Sequence, residues 1–160
     1  METKPPIRIR KGVEADIPAL TGMAAKLLQE IQLATHDLDF EVEPLPVRRH
    51  LENLLERGSY RVLVADSGSE QIGFAGLFEG HALYAGGALG TITELFVKPE
   101  WREKGVGREL LAGIFALARN QGWRRVEVTT PPLPEFERIM HFYQCQGFAV
   151  TGGRKLRRLM

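Results

Sequence analysis

Apolar and polar positions along the chain follow two periods, and the switches between them predict the elements. Ile7-Arg8-Ile9-Arg10 alternates, as a half-buried strand does. Ile17, Leu20, Met23, Leu27, Leu28 and Ile31 then recur at helical spacing, with Asp16 as the expected N-cap and Pro18 in the first turn. His36 to Pro46 reads as a loop with at most one helical turn, closed by two prolines. Val47, Leu51, Leu54 and Leu55 mark a second helix, stopped by Gly58. Tyr60 to Ala65 and Ile72 to Phe78 flank the turn-like Asp66-Ser67-Gly68-Ser69 and predict a hairpin. A glycine-rich connection, Gly80 to Gly90, leads to a fourth strand over Thr91 to Val97. A long helix follows, carrying Leu110, Leu111, Ile114, Leu117 and Ala118 on one stripe and ending at Gly122. Val126 and Val128 alternate along a fifth strand. Pro131, Pro132 and Pro134 precede a helix with Phe136, Ile139, Met140 and Tyr143 on one face. Gly147 to Val150 and Arg154 to Met160 read as two closing strands around Gly152-Gly153. The expected order is β-α-α-β-β-β-α-β-α-β-β, an α/β sheet with helices on its faces.

Composition narrows the class without naming it. At 160 residues, with 44% hydrophobic and 26% charged residues, the chain is expected to form a single domain over 1–160. Twenty-one Lys and Arg against twenty Asp and Glu argue against steering of nucleic acid by a basic surface. One cysteine, Cys145, excludes an intramolecular disulfide framework and multi-cysteine metal sites. No run approaches 18 apolar residues, and the first residues lack the layout of a secretory signal, so no membrane partner and a cytoplasmic location are expected. His36, His50, His81 and His141 are scattered, and no metal is proposed from them.

The stretch from Glu94 to Leu111 carries the chemistry. A strand runs into Arg102-Glu103-Lys104-Gly105-Val106-Gly107, and this loop opens a helix. Unsatisfied N–H groups and the helix dipole make such a start an anion site. Gly105 and Gly107 permit close approach, while Arg102, Lys104 and Arg108 add positive charge, with Arg102 suited to bidentate phosphate contacts. A P-loop needs four residues between its glycines and then Gly-Lys-Ser/Thr, which is absent. A dinucleotide fingerprint needs a third glycine where Leu110 stands.

The pattern Arg/Gln-x-x-Gly-x-Gly/Ala after a strand, with Leu95-Phe96-Val97-Lys98-Pro99 before it and Leu110-Leu111 after it, resembles the acetyl-CoA motif of the GNAT superfamily of N-acetyltransferases. Asp16-Ile17-Pro18, Ile72-Gly73-Phe74 and Phe142-Tyr143-Gln144-Cys145-Gln146-Gly147-Phe148 sit where that family has counterparts, so the resemblance spans nearly the whole chain. It implies a mixed, mostly antiparallel sheet flanked by helices. The backbone of Leu95, Phe96 and Val97 would pair with the pantetheine arm, and Arg102, Glu103, Lys104, Gly105, Val106, Gly107 and Arg108 would hold the pyrophosphate. Phe136 stands where many members carry a pantetheine-binding asparagine.

Acetyl transfer to an amine needs a neutral nucleophile; freeing a lysine-like amine of its proton near pH 7.5 costs about 4 kcal/mol unaided. It also needs a donor for the leaving thiolate. Tyr143, four residues before Gly147-Phe148, holds the family's place for the acid, and it is equally a core tyrosine on a helical stripe. Glu94 is the base candidate, because strand alternation groups it with Ile92 and Phe96 on an otherwise apolar face; a salt-bridged or sheet-edge carboxylate is the other reading. A strand N–H such as that of Phe96 is a candidate for steadying the oxyanion. Cys145 is expected to be buried and inert. Arg154, Lys155, Arg157 and Arg158 read as a solvated or edge-protecting face. In the resembling family the region between the first two helices borders the acceptor, so Asp37, Asp39, Glu41 and Glu43 there would favour a cationic amine such as a polyamine, an aminoglycoside or a lysine-type amine. The functional expectation is direct acetyl transfer from acetyl-CoA to a small-molecule or peptide amine. The alternatives are a non-catalytic acyl-CoA sensor and a protein N-terminal or lysine acetyltransferase. The last strand is a plausible place for homodimer pairing.

Overall fold

A computed structural model describes residues 5–132 and 136–160. Five strands form one sheet in the order β1 (Ile7–Lys11), β2 (Tyr60–Ser67), β3 (Glu70–Ala82), β4 (Gly87–Val97), β5 (Val126–Val128). The first four pair antiparallel and β5 pairs parallel to β4. The helices are α1 (Ile17–Thr35), α2 (Pro44–Glu56), α3 (Val106–Gln121) and α4 (Glu137–Cys145). Parallel strands cannot be joined by a tight turn, so α3 supplies the crossover from β4 to β5.

Alternation on β2 divides the core. Val62 and Val64 face α1 and α2 with Leu20, Met23, Leu51, Phe74 and Phe96. Ala65 faces α3 with Ile72, Ala75, Leu77, Leu110, Leu111 and Ile114, and Leu63 packs against that group. Gly113 lets α3 lie close on β1, since a Cβ there would stand 2.8 Å from Ile9.

Local readings are adjusted in four places. Asp16 precedes α1 but makes no cap bond to it. Its carboxylate is buried, accepts two bonds from Arg10 at 2.7 and 2.8 Å and one from the Val13 N–H at 2.8 Å, and so ties β1 to α1. Pro44 and Pro46 do not close the loop. They sit in the first turn of α2, where missing N–H groups cost nothing. Most of Gly80 to Gly90 is strand, with β3 reaching Ala82 and β4 starting at Gly87. The two closing strands do not form: residues 148–160 run without strand pairing. Among the described residues the strand beside them is β5, three residues long, and Leu156, Leu159 and Met160 are exposed, so a closing strand has little edge to pair with and no buried face. Of the expected proline breaks, Pro134 lies outside the described residues.

Candidate active site

The site begins with a break in the β4 ladder. Gly76 pairs with Glu94 and Leu77 with Ile92, leaving Thr93 as a one-residue bulge. The bulge turns Glu94 onto the α1–α2 face with Phe96, while Ile92 stays on the α3 face. The expected grouping of Glu94 with Ile92 is therefore wrong and that with Phe96 right, because one inserted residue reverses every side chain before it. Pairing of β4 with β5 stops at Ile92, so among the described residues no strand covers the outer edge of β4 from Thr93 to Val97. The Lys98 N–H turns inward to Ile72 O (2.9 Å), while Val97 O is met from the other side by Arg102 Nε (2.9 Å). Alternation then aims the amides of Leu95 and Val97 outward and that of Phe96 at Phe74 on β3. Phe96 N–H is thus not available for an oxyanion; Leu95 and Val97 offer the outward donors.

After a 3-10 turn at Pro99–Trp101, the loop reaches α3 through Gly105, whose φ of 85° is left-handed. The first α3 amide with an intrahelical partner is Glu109, bonded to Gly105 O at 3.0 Å. The preceding N–H groups of Val106, Gly107 and Arg108 point from the positive end of the dipole, the arrangement that attracts phosphate. Gly107 has a different reason from the one its spacing suggested: a Cβ would press Phe142 of α4 at 3.1 Å, so its bareness seats α4 against α3. Arg102 is also differently employed. One guanidinium nitrogen contacts both Glu30 oxygens of α1 at 2.9 Å, the group lies 5.6 Å from the Phe96 ring centre, and Nε holds Val97 O. Two of its three nitrogens, Nε and one terminal nitrogen, thus brace the loop to β4 and α1 while the side chain also lines the cleft. Glu103 adopts φ 60° and pairs with Arg138 on α4.

These pieces line one cleft of about 1040 Å³, running from the β4 edge past the loop to α4. Four cations (Arg102, Lys104, Arg108, Arg138) face it against two carboxylates (Glu30, Glu103), so it suits an anion. Tyr143 lines it from α4 and also lines a second cleft of about 830 Å³ along β5, which includes Thr91 and Thr130. Its ring is buried edge-on against Phe142 (5.3 Å) and Phe148 (5.2 Å). Burial raises its pKa well above the ordinary phenol value, so at neutral pH it carries its proton. Phe136 borders the first cleft at the start of α4 and brings no polar group.

Glu94 lines neither cleft. Its Oε2 accepts the Tyr60 hydroxyl at 2.5 Å and also contacts the Thr93 hydroxyl. Tyr60 is buried at the start of β2, and burial followed by the Glu94 charge raises its pKa far above the usual range. Sequence reading missed Tyr60. The available signal was Gly76, an isolated strand glycine marking a close approach.

Residues 58–150, more than half of the chain, match the family model for the acetyltransferase (GNAT) domain. The chain belongs to the GNAT acetyltransferase family. It is an N-acetyltransferase with acetyl-CoA as co-substrate. Solved structures agree on the fold. The aminoglycoside N-acetyltransferase AAC(6')-Iy in complex with CoA superposes with a TM-score of 0.80 at 20% identity, over 99% of this chain and 98% of that one. An integron cassette protein from the mobile metagenome of Cole Harbour Salt Marsh gives 0.78 at 24% identity, over 95% and 90%. The ribosomal-protein-alanine N-acetyltransferase from Brucella melitensis biovar Abortus 2308 gives 0.74 at 18% identity, over 96% and 100%. No curated protein sequence matches the chain.

In this GNAT domain the four acidic residues occupy the connection from α1 to α2. Arg157 from the C-terminal segment contacts Asp37 at 3.2 Å and Asp39 at 3.1 Å. Asp37 also caps the Asp39 N–H, and with Arg157 this holds its pKa below the usual carboxylate value. Glu41 accepts the Glu43 N–H at 3.1 Å. Arg157 is thus not merely solvated. Cys145 departs from expectation as well: it is exposed, with Sγ 3.4 Å from His141 Nε2, since residues four apart share a helix face. Among the described residues no cluster of His, Cys, Asp or Glu side chains is arranged to hold a metal ion, and no helix is long and apolar enough to cross a membrane.

Proposed function

We propose that this acetyltransferase moves the acetyl group to a primary, cationic amine by direct attack in a ternary complex. The observation that carries the reading is one cleft joining the open β4 edge, the bare N-terminus of α3 and the Tyr143 side chain. The group to be bound has three parts, and the residues present fit each. An extended amide-bearing arm suits the outward amides of Leu95 and Val97, as an added strand. A pyrophosphate suits the N–H groups of Val106, Gly107 and Arg108, with the Arg108 and Lys104 side chains nearby. A thioester at the bulge meets the Leu95 N–H, which steadies negative charge developing on the carbonyl oxygen.

In this proposal Glu94 accepts the proton of the incoming ammonium. Acetyl-CoA supplies an activated acyl group whose thiolate departs. Tyr143 donates to that sulfur. A phenol above pKa 10 is a weaker acid than a thiol near 8.5, so complete transfer is uphill by at least about 2 kcal/mol. Tyr143 therefore acts first as a hydrogen-bond donor in the transition state; as the C–S bond breaks, the second proton leaves the acylated nitrogen and restores the one Tyr143 passes to the departing thiol, so the phenol ends neutral.

The cationic preference rests on Asp37, Asp39, Glu41 and Glu43, two of which already hold a guanidinium. Turnover of spermidine, kanamycin, lysine and a lysine peptide is compared for the wild type and a chain with all four replaced by Asn or Gln. Loss of preference for the multiply charged amines supports the reading, and unchanged preference removes it. Tyr143→Phe tests the donor: kcat falls while acetyl-CoA affinity holds, whereas full activity in that variant excludes the role.

A further inference from the structure

We propose that Tyr60 is a positioning residue, which fixes the Glu94 carboxylate so that one oxygen is presented to the acceptor amine. The inference rests on the base role proposed for Glu94 and adds a residue to it. Tyr60 and Glu94 are 34 positions apart and on strands that do not pair with each other; β3 lies between them. For the hydroxyl to reach the carboxylate, the side chains must meet across the β3 backbone. They do so over Gly76, where an added Cβ would stand 1.9 Å from Tyr60 Oη and 2.5 Å from Glu94 Oε2. No other residue leaves that space. The Thr93 bulge is the second requirement, because it brings Glu94 onto Tyr60's side of the sheet.

The geometry is one-sided. Tyr60 and Thr93 both meet Oε2, and no described side chain bonds Oε1. Two contacts at one oxygen fix the carboxylate plane and leave the other oxygen to take a proton. The Tyr60 hydroxyl also meets the Thr93 hydroxyl beside Glu94, and its buried ring cannot swing away. The hydroxyl remains a donor across the working pH range, since burial and the neighbouring charge both oppose its ionisation.

Tyr60→Phe removes the hydroxyl and keeps the ring. With acetyl-CoA and the panel amine giving fastest release, kcat should fall about tenfold, as for one hydrogen bond to a charged group. KM for acetyl-CoA should stay within about twofold, because Tyr60 does not line that cleft. In a Glu94→Gln background the same substitution should change kcat by less than about twofold. Independently of turnover, the side-chain carboxyl carbon resonance of Glu94, assigned by its loss in Glu94→Gln, should shift in Tyr60→Phe. Wild-type kcat with an unmoved resonance overturns the proposal, as does a tenfold loss that persists in Glu94→Gln. If Glu94→Gln itself is fully active, the base reading fails first. A Glu94→Gln loss with a silent Tyr60→Phe sinks the positioning role alone. Should Tyr60→Phe fail to fold, Gly76→Ala perturbs the same contact, and an unmoved Glu94 resonance there is equally fatal.

Discussion

Replacing Gly76 by Ala asks whether the sheet is built around the Tyr60–Glu94 contact. The added methyl would lie 1.9 Å from Tyr60 Oη, 2.7 Å from Tyr60 Cζ and 2.5 Å from Glu94 Oε2. Ordinary van der Waals contact begins near 3.4 Å, so the groups must separate by about an ångström. Tyr60 is buried and packed with Phe74 and Phe96, so it gives way only by disturbing that core. Overpacking of this kind costs about 1–3 kcal/mol. For a domain of this size that lowers Tm by roughly 3–10 °C. A base displaced by about an ångström costs on the order of 100-fold in kcat. Gly22→Ala is the control: it lies in α1 with nothing within 4 Å of the added atom, and should gain about 0.5–1 kcal/mol with unchanged turnover. Thermal melts and initial rates of CoA release on both chains decide the matter. A Gly76→Ala protein with wild-type Tm and kcat would refute the packing argument.

Three other outcomes follow from the same geometry. Asp16→Asn should cost about 2 kcal/mol at pH 7: Asp16 is buried, but Arg10 is a quarter exposed and keeps Asp66 at 2.6 Å. The Arg10 hydrogen bonds hold the Asp16 pKa down against burial, so its contribution is present above the ordinary carboxylate value of about 3.9 and is lost as pH falls through the lower folded value. Urea titrations should therefore show the gap between the two proteins closing below about pH 4, and a constant gap would contradict the linkage. Glu103→Gly should be about 1 kcal/mol more stable than Glu103→Ala by the same method, since both lose the exposed Arg138 pair but only glycine relieves φ 60°; equal stability would deny the strain. Arg108→Gln should weaken acetyl-CoA binding about 5–30-fold by calorimetry, for one charge-assisted phosphate contact. An unchanged Kd would remove Arg108 from the pyrophosphate site.

Much of the fold was legible because it obeys a single period. The α1 stripe, the β2–β3 hairpin and the strand–loop–α3 unit all follow from spacing and glycine placement. What sequence could not show is long-range. Thr93 looks like any strand residue until pairing with β3 reveals the extra position, and that one residue separates Glu94 from Ile92. Arg102 reads as a phosphate ligand, and its pairing with Glu30, 72 positions away, shows only in the fold. Gly105 and Gly107 were recognisable as a pair, yet one serves a left-handed turn and the other the packing of Phe142. The segment after the Gly152-Gly153 turn reads as a closing strand, but strand pairing needs a long enough edge and a buried face, and beside the tail there is only the three-residue β5 and no buried face.

Acetyl transfer at the cleft between β4 and α4 is tested most directly by thiol release from acetyl-CoA over a panel of polyamines, aminoglycosides, amino acids and short peptides. Calorimetric titration of acetyl-CoA in the same buffer accompanies it. Saturable acetyl-CoA binding is expected, with release that depends on a cationic amine and falls sharply in Tyr143→Phe. No acetyl-CoA binding, or release indifferent to both the amine and Tyr143, would contradict it.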